Sequence, residues 1–380
     1  MDISGSLQRA LAALDAGDSR EAESLFRGIL AQAPYQPIAL QGLGKALLDQ
    51  LRLEEAEFLF GEAIAVAEVP ARAEYHLGLC RLLRGDYAKG WKGWERRLDV
   101  PDFGHVKPAL PRWTGGKPAG SRLLVVAEQG YGDTIQFSRF LPRVTDEHDV
   151  SVTFLCPAPL LPLYRSWNQV PRTVVTDSIR LDDFDSFVSI CSLPVMMDVR
   201  VADLPGDLPA LSVDPEKAAR WRNARPRARL VAGLCWAGRP THPQDRTRSI
   251  PPDYLLRLRN APDVALVGLQ RPPCNTPAPA GLLDADWGPG IGDFSDLAAM
   301  MLALDAIVTV DTAAAHLAGT LGRPTCVTIS YSPDWRWLLG REDSPWYPSV
   351  QLLRQPRPGD WIPVIENASA ALARQMSVEE

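Results

Sequence analysis

The run Ala306-Ile307-Val308-Thr309-Val310-Asp311-Thr312-Ala313-Ala314-Ala315-His316-Leu317-Ala318-Gly319 joins an apolar stretch to an alanine-rich one across an Asp-Thr pair. The short apolar run predicts a buried strand, and the alanines after it predict a helix. Such a junction gathers free backbone N–H groups, a hydroxyl and a carboxylate at one strand tip. The first N–H groups of a helix lack intrahelical partners and its dipole favours anions, so this end suits phosphate. In open α/β sheets, ligands also collect at the carboxyl edge of the strands. A nucleotide or phosphate site near Asp311 is therefore the first expectation.

The flanking sequence extends the pattern. Arg122–Ala127, Val150–Cys156, Thr173–Thr176 and Phe187–Ile190 read as strands, with a helix expected at Asp133–Leu141. After a crossing at Pro205–Pro215, Arg229–Trp236, Val264–Leu269, Ala306–Val310 and Thr325–Ile329 form a second set. Helical stretches at Pro252–Asn260 and Asp296–Leu304 separate them. Alternating β and α elements imply parallel sheets, and two such sets imply two doubly wound lobes with a cleft between them.

The first hundred residues have a different texture. Ala10, Gly44 and Gly78 are spaced 34 apart, as are Ala22, Ala56 and Gly90, and Phe26, Phe60 and Trp94. Small residues at this interval let antiparallel helices approach, and the aromatics fill the gaps between successive pairs. Gly17-Asp18 and Gly85-Asp86 supply turns. The period resembles that of the tetratricopeptide repeat. Three units, residues 1–100, would serve either to bind a peptide or partner or to act as a packing and dimerisation module. Residues 99–120, with Pro101, Pro108, Pro111 and Pro118, read as an irregular linker wrapped on the next domain.

Composition narrows the class. The chain has 380 residues, 46% hydrophobic and 23% charged, which fits a globular protein of two to three domains. A net charge of −6 argues against a general nucleic-acid binder. The six cysteines form no C-x-x-C pair, and several fall in strand-like runs, which predicts buried reduced thiols and neither a disulfide framework nor a zinc site. The start, Met1-Asp2-Ile3-Ser4-Gly5, lacks the regions of a signal peptide, and no run is long enough for a membrane span. A cytoplasmic location is the expectation.

Three further stretches carry candidate chemistry. Glu128-Gln129-Gly130-Tyr131-Gly132-Asp133-Thr134-Ile135-Gln136-Phe137 joins the first strand to the first helix. Its glycines permit close backbone approach, but it lacks the third glycine of a dinucleotide fingerprint, and Asp133 could equally be a helix N-cap on a tight turn. The loop from Trp236-Ala237-Gly238 to Asp245-Arg246-Thr247-Arg248-Ser249 carries Arg239, Arg246 and Arg248. It reads as a phosphate-capturing loop or as a plain exposed basic one. The aromatics of Pro333-Asp334-Trp335-Arg336-Trp337 and Ser344-Pro345-Trp346-Tyr347-Pro348 could stack on a base or sugar, or pack the tail against the first lobe. His316, one turn into its helix, is structural or close to the same ligand.

Taken together, these motifs resemble the bacterial glycosyltransferases related to the lipopolysaccharide heptosyltransferases (glycosyltransferase family nine), in the subgroup carrying N-terminal tetratricopeptide repeats. The resemblance implies helical repeats followed by a GT-B fold of two Rossmann-like lobes. Residues 121–212 would form the acceptor-side lobe, and 213–380 the nucleotide-sugar side with its tail packing back. It implies Asp133 as general base, beside an acceptor-side loop of Gln129, Gly130, Tyr131 and Gly132. Donor contacts would come from Trp236, Gly238, Arg248, Asp311, Thr312, Ala313 and His316. Ala313 replaces the glycine of the family's Asp-Thr-Gly, yet still offers its N–H. The expected reaction is inverting and metal-independent sugar transfer, with no cofactor beyond a nucleotide-sugar co-substrate. The combination is also reminiscent of O-linked N-acetylglucosamine transferase, which suggests a protein acceptor. The competing expectation is a non-catalytic scaffold or adaptor with a degenerate nucleotide-binding domain. An epimerase would want more acid/base groups than are found.

Overall fold

The computed structural model describes residues 2–103, 107–116, 120–165, 167, 173–174, 179–242, 244–272, 274 and 276–376. They divide into two compact units. One comprises the N-terminal helices together with Asp198–Asp203 and Ser332–Gly340; the other holds both sheets.

In the first unit six helices follow one another: α1 (Ile3–Asp15), α2 (Ser19–Leu30), α3 (Pro37–Asp49), α4 (Leu53–Val66), α5 (Ala71–Leu83) and α6 (Tyr87–Glu95). Odd helices begin at 3, 37 and 71 and even helices at 19, 53 and 87, so the 34-residue spacing of the sequence is also a spacing of elements. Each helix packs on the next. The small and aromatic positions behave alike in all three pairs. Ala10, Ala22, Ala56, Phe26, Phe60 and Trp94 are all buried, and a Cβ on Gly78 would lie 2.7 Å from the Gly93 backbone.

The turn inside each pair puts its middle residue in the left-handed region, with φ of 74° at Gly17, 60° at Leu51 and 83° at Gly85. The next residue opens the second helix. Asp18 and Asp86 do so with a side-chain bond to a backbone N–H, and Arg52 does so without one. An aromatic cluster closes this unit. Trp335 meets Tyr87, Trp91 and Trp94 with ring centres 5.8, 5.4 and 5.4 Å away, and the Trp91 indole donates to the Val199 carbonyl at 2.7 Å.

The second unit contains two parallel sheets. The first consists of β1 (Arg122–Val126), β2 (Ser151–Leu155), β3 (Thr173–Val174) and β4 (Ser186–Ser189), in the order β3-β2-β1-β4. The second consists of β5 (Leu230–Cys235), β6 (Val264–Gly268), β7 (Ala285–Asp286), β8 (Ala306–Val310), β9 (Thr325–Ile329) and β10 (Val350–Arg354), in the order β10-β9-β8-β5-β6-β7. Taken from its first strand, the second sheet has the doubly wound 3-2-1-4-5-6 order, and the first sheet has its first four strands. β5, β6, β8 and β9 are buried along their whole length, as parallel strands covered on both faces must be.

The alternating apolar runs therefore predict the sheets well, with four differences. The first helix of this unit, α7, spans Tyr131–Phe137 and gives way to a 3-10 turn at 138–140, so it begins two residues earlier than expected and ends sooner. The stretch 252–260 is one helical turn followed by a 3-10 segment, after a Pro251-Pro252 start. β7, β10 and the helices Pro215–Asn223 and Ile362–Met376 add elements that the sequence reading did not name. The proline-rich stretch is not wholly irregular: Phe187 of β4 donates to the Pro111 carbonyl at 2.9 Å and accepts from Trp113 at 2.7 Å. Pro118 and the expected strand end at 175–176 lie outside the described residues.

Candidate active site

The order of each sheet fixes where a ligand can sit. In both, the strand order reverses beside the first strand of the set: between β1 and β4, and between β5 and β8. The loops leaving these strands at their carboxyl ends diverge there, which opens a crevice. The stretches singled out in the sequence leave β1, β5 and β8.

At the tip of β8, Thr312 is the N-cap of the helix Ala313–Thr320, and its hydroxyl accepts from the Ala314 N–H at 3.3 Å. Asp311, Thr312 and Ala313 are half-buried, whereas everything from Ala314 to Thr320 is buried. The expected cradle is thus a helix start whose body is locked in the core and whose first residues reach the surface.

Arg248 crosses to this tip from the β5 loop. Its Nη1 donates to the Asp311 carbonyl at 3.0 Å, and its Nε lies 3.6 Å from the Asp245 carboxylate. The loop is tied in a small network. Ser249 Oγ accepts from the Gly238 N–H and donates to Asp245, both at 3.0 Å, while Gln270 accepts from the Ala237 N–H at 3.1 Å. A Cβ on Gly238 would lie 2.3 Å from Asp245 Oδ1 and 2.5 Å from Arg248 Nη2, so only glycine leaves the guanidinium its place. Arg239 and Arg246 are exposed. The Trp236 indole is buried in the core of the second sheet and donates to the Thr276 carbonyl at 2.6 Å. Beneath the tip, burial pushes the Cys235 thiol up to about 11, with hydrogen bonds to Thr309 and Thr312 opposing, so at neutral pH it is a thiol and not a nucleophile. Pro243 lies outside the described residues.

On the first sheet, Gly130 is the N-cap of α7 and Asp133 is its third residue. Asp133 therefore does not occupy the N-cap position that its sequence context offers. Its Oδ2 instead reaches back to accept the Gly130 N–H at 2.8 Å, which anchors one carboxylate oxygen and leaves the group half-buried. Gln129 carries a positive φ of 62° without being glycine, a strained residue in the middle of the loop. Glu128 accepts from the Ser189 hydroxyl at the end of β4, bridging the switch point.

The two loops meet. A Cβ on Gly132 would lie 3.3 Å from the Ala313 α-carbon and 2.7 Å from His316 Cδ2, so the α7 start rests directly on the start of the helix Ala313–Thr320. Tyr131, exposed, sets its ring edge-on against Phe294 at 5.1 Å. Asp133, Ala313, His316 and Arg248 thus share one neighbourhood, although they come from three separate stretches of the chain. Sequence reasoning missed Ser249 and Gln270. Of the late aromatics, Trp335 packs within the helical unit, whereas Trp346 lies edge-on to Phe137 of α7 at 6.0 Å. Among the described residues no group of three or more His, Cys, Asp or Glu could hold a metal, and no helix is long and apolar enough to cross a membrane.

No family model matches the sequence. The chain is similar to protein FlbA of Caulobacter vibrioides, 27% identical over 395 residues that cover 94% of this chain and 64% of FlbA; it thus spans less than two thirds of that relative's length. Among solved structures it is similar to the Escherichia coli ADP-heptose lps heptosyltransferase II, with 16% identity, 67% of this chain and 99% of that one covered, and a TM-score of 0.48. It is also similar to an O-GlcNAc transferase mutant of Thermobaculum terrenum, with 14% identity, 99% and 92% covered, and a TM-score of 0.33.

Proposed function

We propose that this chain is an inverting, metal-independent glycosyltransferase that moves a sugar from a nucleotide-sugar donor to a protein acceptor. In this reading residues 1–100 are three tetratricopeptide repeats that present the acceptor, 101–120 a linker, 121–212 the acceptor-side lobe and 213–380 the donor-side lobe. The observation that carries it is the meeting of two switch-point loops. The start of α7, which carries Asp133, rests against the helix start on the β8 loop, and Arg248 reaches that helix start from the β5 loop.

Each group has one task. Asp133 takes the proton from the acceptor hydroxyl as that oxygen attacks the anomeric carbon, and the sugar–phosphate bond breaks from the opposite face. One of its oxygens is fixed by Gly130, which orients the other. Charge released on the leaving nucleotide phosphate is met by the N–H groups at Thr312 and Ala313 and by Arg248, donors already in place before the bond breaks. The Asp311 carbonyl and Asp245 carboxylate hold that guanidinium at the helix start.

The test is a pair of variants followed with a panel of nucleotide sugars. Asp133→Asn is expected to reduce transfer by at least a hundredfold while nucleotide affinity, read by calorimetry, stays within twofold. Unchanged turnover removes Asp133 as the base. Arg248→Ala is expected to weaken donor binding about tenfold, the scale of one charge-assisted contact. Nucleotide binding without sugar transfer or release, under any donor, would favour the adaptor reading instead.

A further inference from the structure

Three helix starts converge beside the site. α7 begins at Tyr131, a second helix at Ala313, and a third, Phe294–Leu302, after β7. Gly132 rests on Ala313 and Tyr131 meets Phe294, so α7 touches the other two within its own first two residues.

The two starts that face α7 differ in chemistry. At Ala313 the cap is a neutral hydroxyl, that of Thr312. At Phe294 the chain's own carboxylates occupy the donors. Asp293 accepts from the Ser295 and Asp296 N–H groups at 2.7 and 3.1 Å, and Asp296 from those of Gly292 and Asp293 at 3.0 and 3.2 Å. A helix start filled in this way repels a phosphate. Lys217 locks it, donating to Ser295 Oγ at 2.8 Å and lying 2.7 Å from Asp296. What this start offers the crevice is the half-buried Phe294 ring.

Tyr131 is the ring that Phe294 meets. Among the described residues of the unit holding both sheets, it is the one aromatic side chain left exposed, at 40%. A single exposed ring is ordinary on a surface; this one is fixed in place. The Gly130 N–H before it is held by Asp133, and Gly132 after it is pressed on the helix Ala313–Thr320. The two rings stand 5.1 Å apart at 62°, an edge-to-face pair. Such a pair covers at most one face of Tyr131 and leaves the other for a ligand.

We propose that Tyr131, braced by Phe294, is the platform on which the transferred sugar of the nucleotide-sugar donor stacks. The inference rests on the donor-site reading above and deepens it. In that reading the diphosphate lies at Thr312 and Ala313, and the transferred sugar is bonded directly to it. The ring next to Gly132 is therefore one residue from the contact with Ala313 and two from Asp133, on the same turn of α7. One face of a pyranose is lined by C–H groups. It packs on an aromatic face while the hydroxyls at its rim keep their hydrogen bonds. Tyr131 thus serves the donor sugar from the acceptor-side loop, and Phe294 is a positioning residue that touches no substrate.

The experiment measures the full chain by calorimetry against matched pairs: UDP and UDP-N-acetylglucosamine, GDP and GDP-mannose, ADP and ADP-glucose. The pair bound most tightly is carried to the variants. Tyr131→Ala is expected to weaken the nucleotide sugar about tenfold and to leave its nucleoside diphosphate within about twofold. Tyr131→Phe, which keeps the ring, is expected to hold both affinities. Phe294→Ala is expected to cost a few-fold, again for the nucleotide sugar alone, and Phe294→Tyr to restore it. If Tyr131→Ala does not fold, Tyr131→Leu, which keeps bulk without a flat face, takes its place with the same expectation. An unchanged nucleotide-sugar affinity, or an equal loss of both ligands, overturns the inference and leaves the donor site standing. So does an unaltered chain that binds nucleoside diphosphates but none of the three sugars. If no nucleoside diphosphate binds, the donor-site reading falls and takes the platform with it.

Discussion

At the scale of single residues, the site depends on what is missing from a side chain as much as on what is present. Gly238 leaves room for the Arg248 guanidinium, and a methyl group there would overlap both Arg248 and Asp245. Gly238→Ala is therefore expected to mimic Arg248→Ala, weakening nucleoside diphosphate binding about tenfold, with little further loss when the two are combined, because both remove the same contact. Additive losses by calorimetry would show that Gly238 acts elsewhere. The sequence identified Gly238, Arg248, Asp311 and Asp133 as separate motifs, since each lies beside an apolar run that predicts a strand end. It could not join them. That Arg248 reaches the Asp311 carbonyl depends on β5 and β8 being neighbours, a property of strand order and not of either loop. Gln270 was invisible for the same reason, as a polar residue after β6 whose partner, Ala237, leaves β5.

At the scale of elements, the helical array shows one flaw against its own period. Positions 17, 51 and 85 share a left-handed backbone, but the middle one is leucine. An L-residue with a Cβ pays roughly 1–2 kcal/mol in that conformation, and glycine avoids most of it. Glycine is also more flexible when unfolded, which offsets part of the gain. Leu51→Gly is thus expected to raise the stability of the array by up to about 1 kcal/mol, read as a higher urea midpoint; a lowered one would mean that the Leu51 side chain contributes more by packing than its backbone costs. The 34-residue spacing made this array legible in sequence because every pair repeats the same close approaches. Helix ends were less legible. α7 begins at Tyr131 because a glycine N-cap leaves no side-chain signal, and the acidic residue that looked like the cap reaches back from the third position instead.

At the scale of the whole molecule, alternating apolar runs were enough to foresee two parallel sheets, since strands buried on both faces have few alternatives. Strand order and the short edge strands were not foreseen, because they are decided by crossover connections and by pairing across distant sequence. The same burial sets the behaviour of the thiols. Burial pushes Cys80 and Cys156 up to about 12, and Cys235 and Cys326 up to about 11. Their pKa values are raised on folding, so the stability they contribute is complete below the ordinary thiol value of 9.0. It is lost as pH rises toward 11 to 12, where the unfolded chain releases protons that the folded one retains. The urea midpoint is expected to fall between pH 9 and 11, and Cys156→Ala should flatten that limb by about 1–2 kcal/mol. An unaltered slope would show that the thiol is not shielded.

The aromatic cluster of the helical unit has a consequence in time. Tyr87, Trp91 and Trp94 are made early, but Trp335, which packs against all three, is made late. At about 5–20 residues per second, a ribosome needs on the order of 10–50 s to pass from the end of the helices to that segment. Throughout that interval the nascent array carries an apolar surface whose own partner has not been synthesised. The last helical pair therefore completes its packing only after Trp335 has been synthesised, however early its helices form.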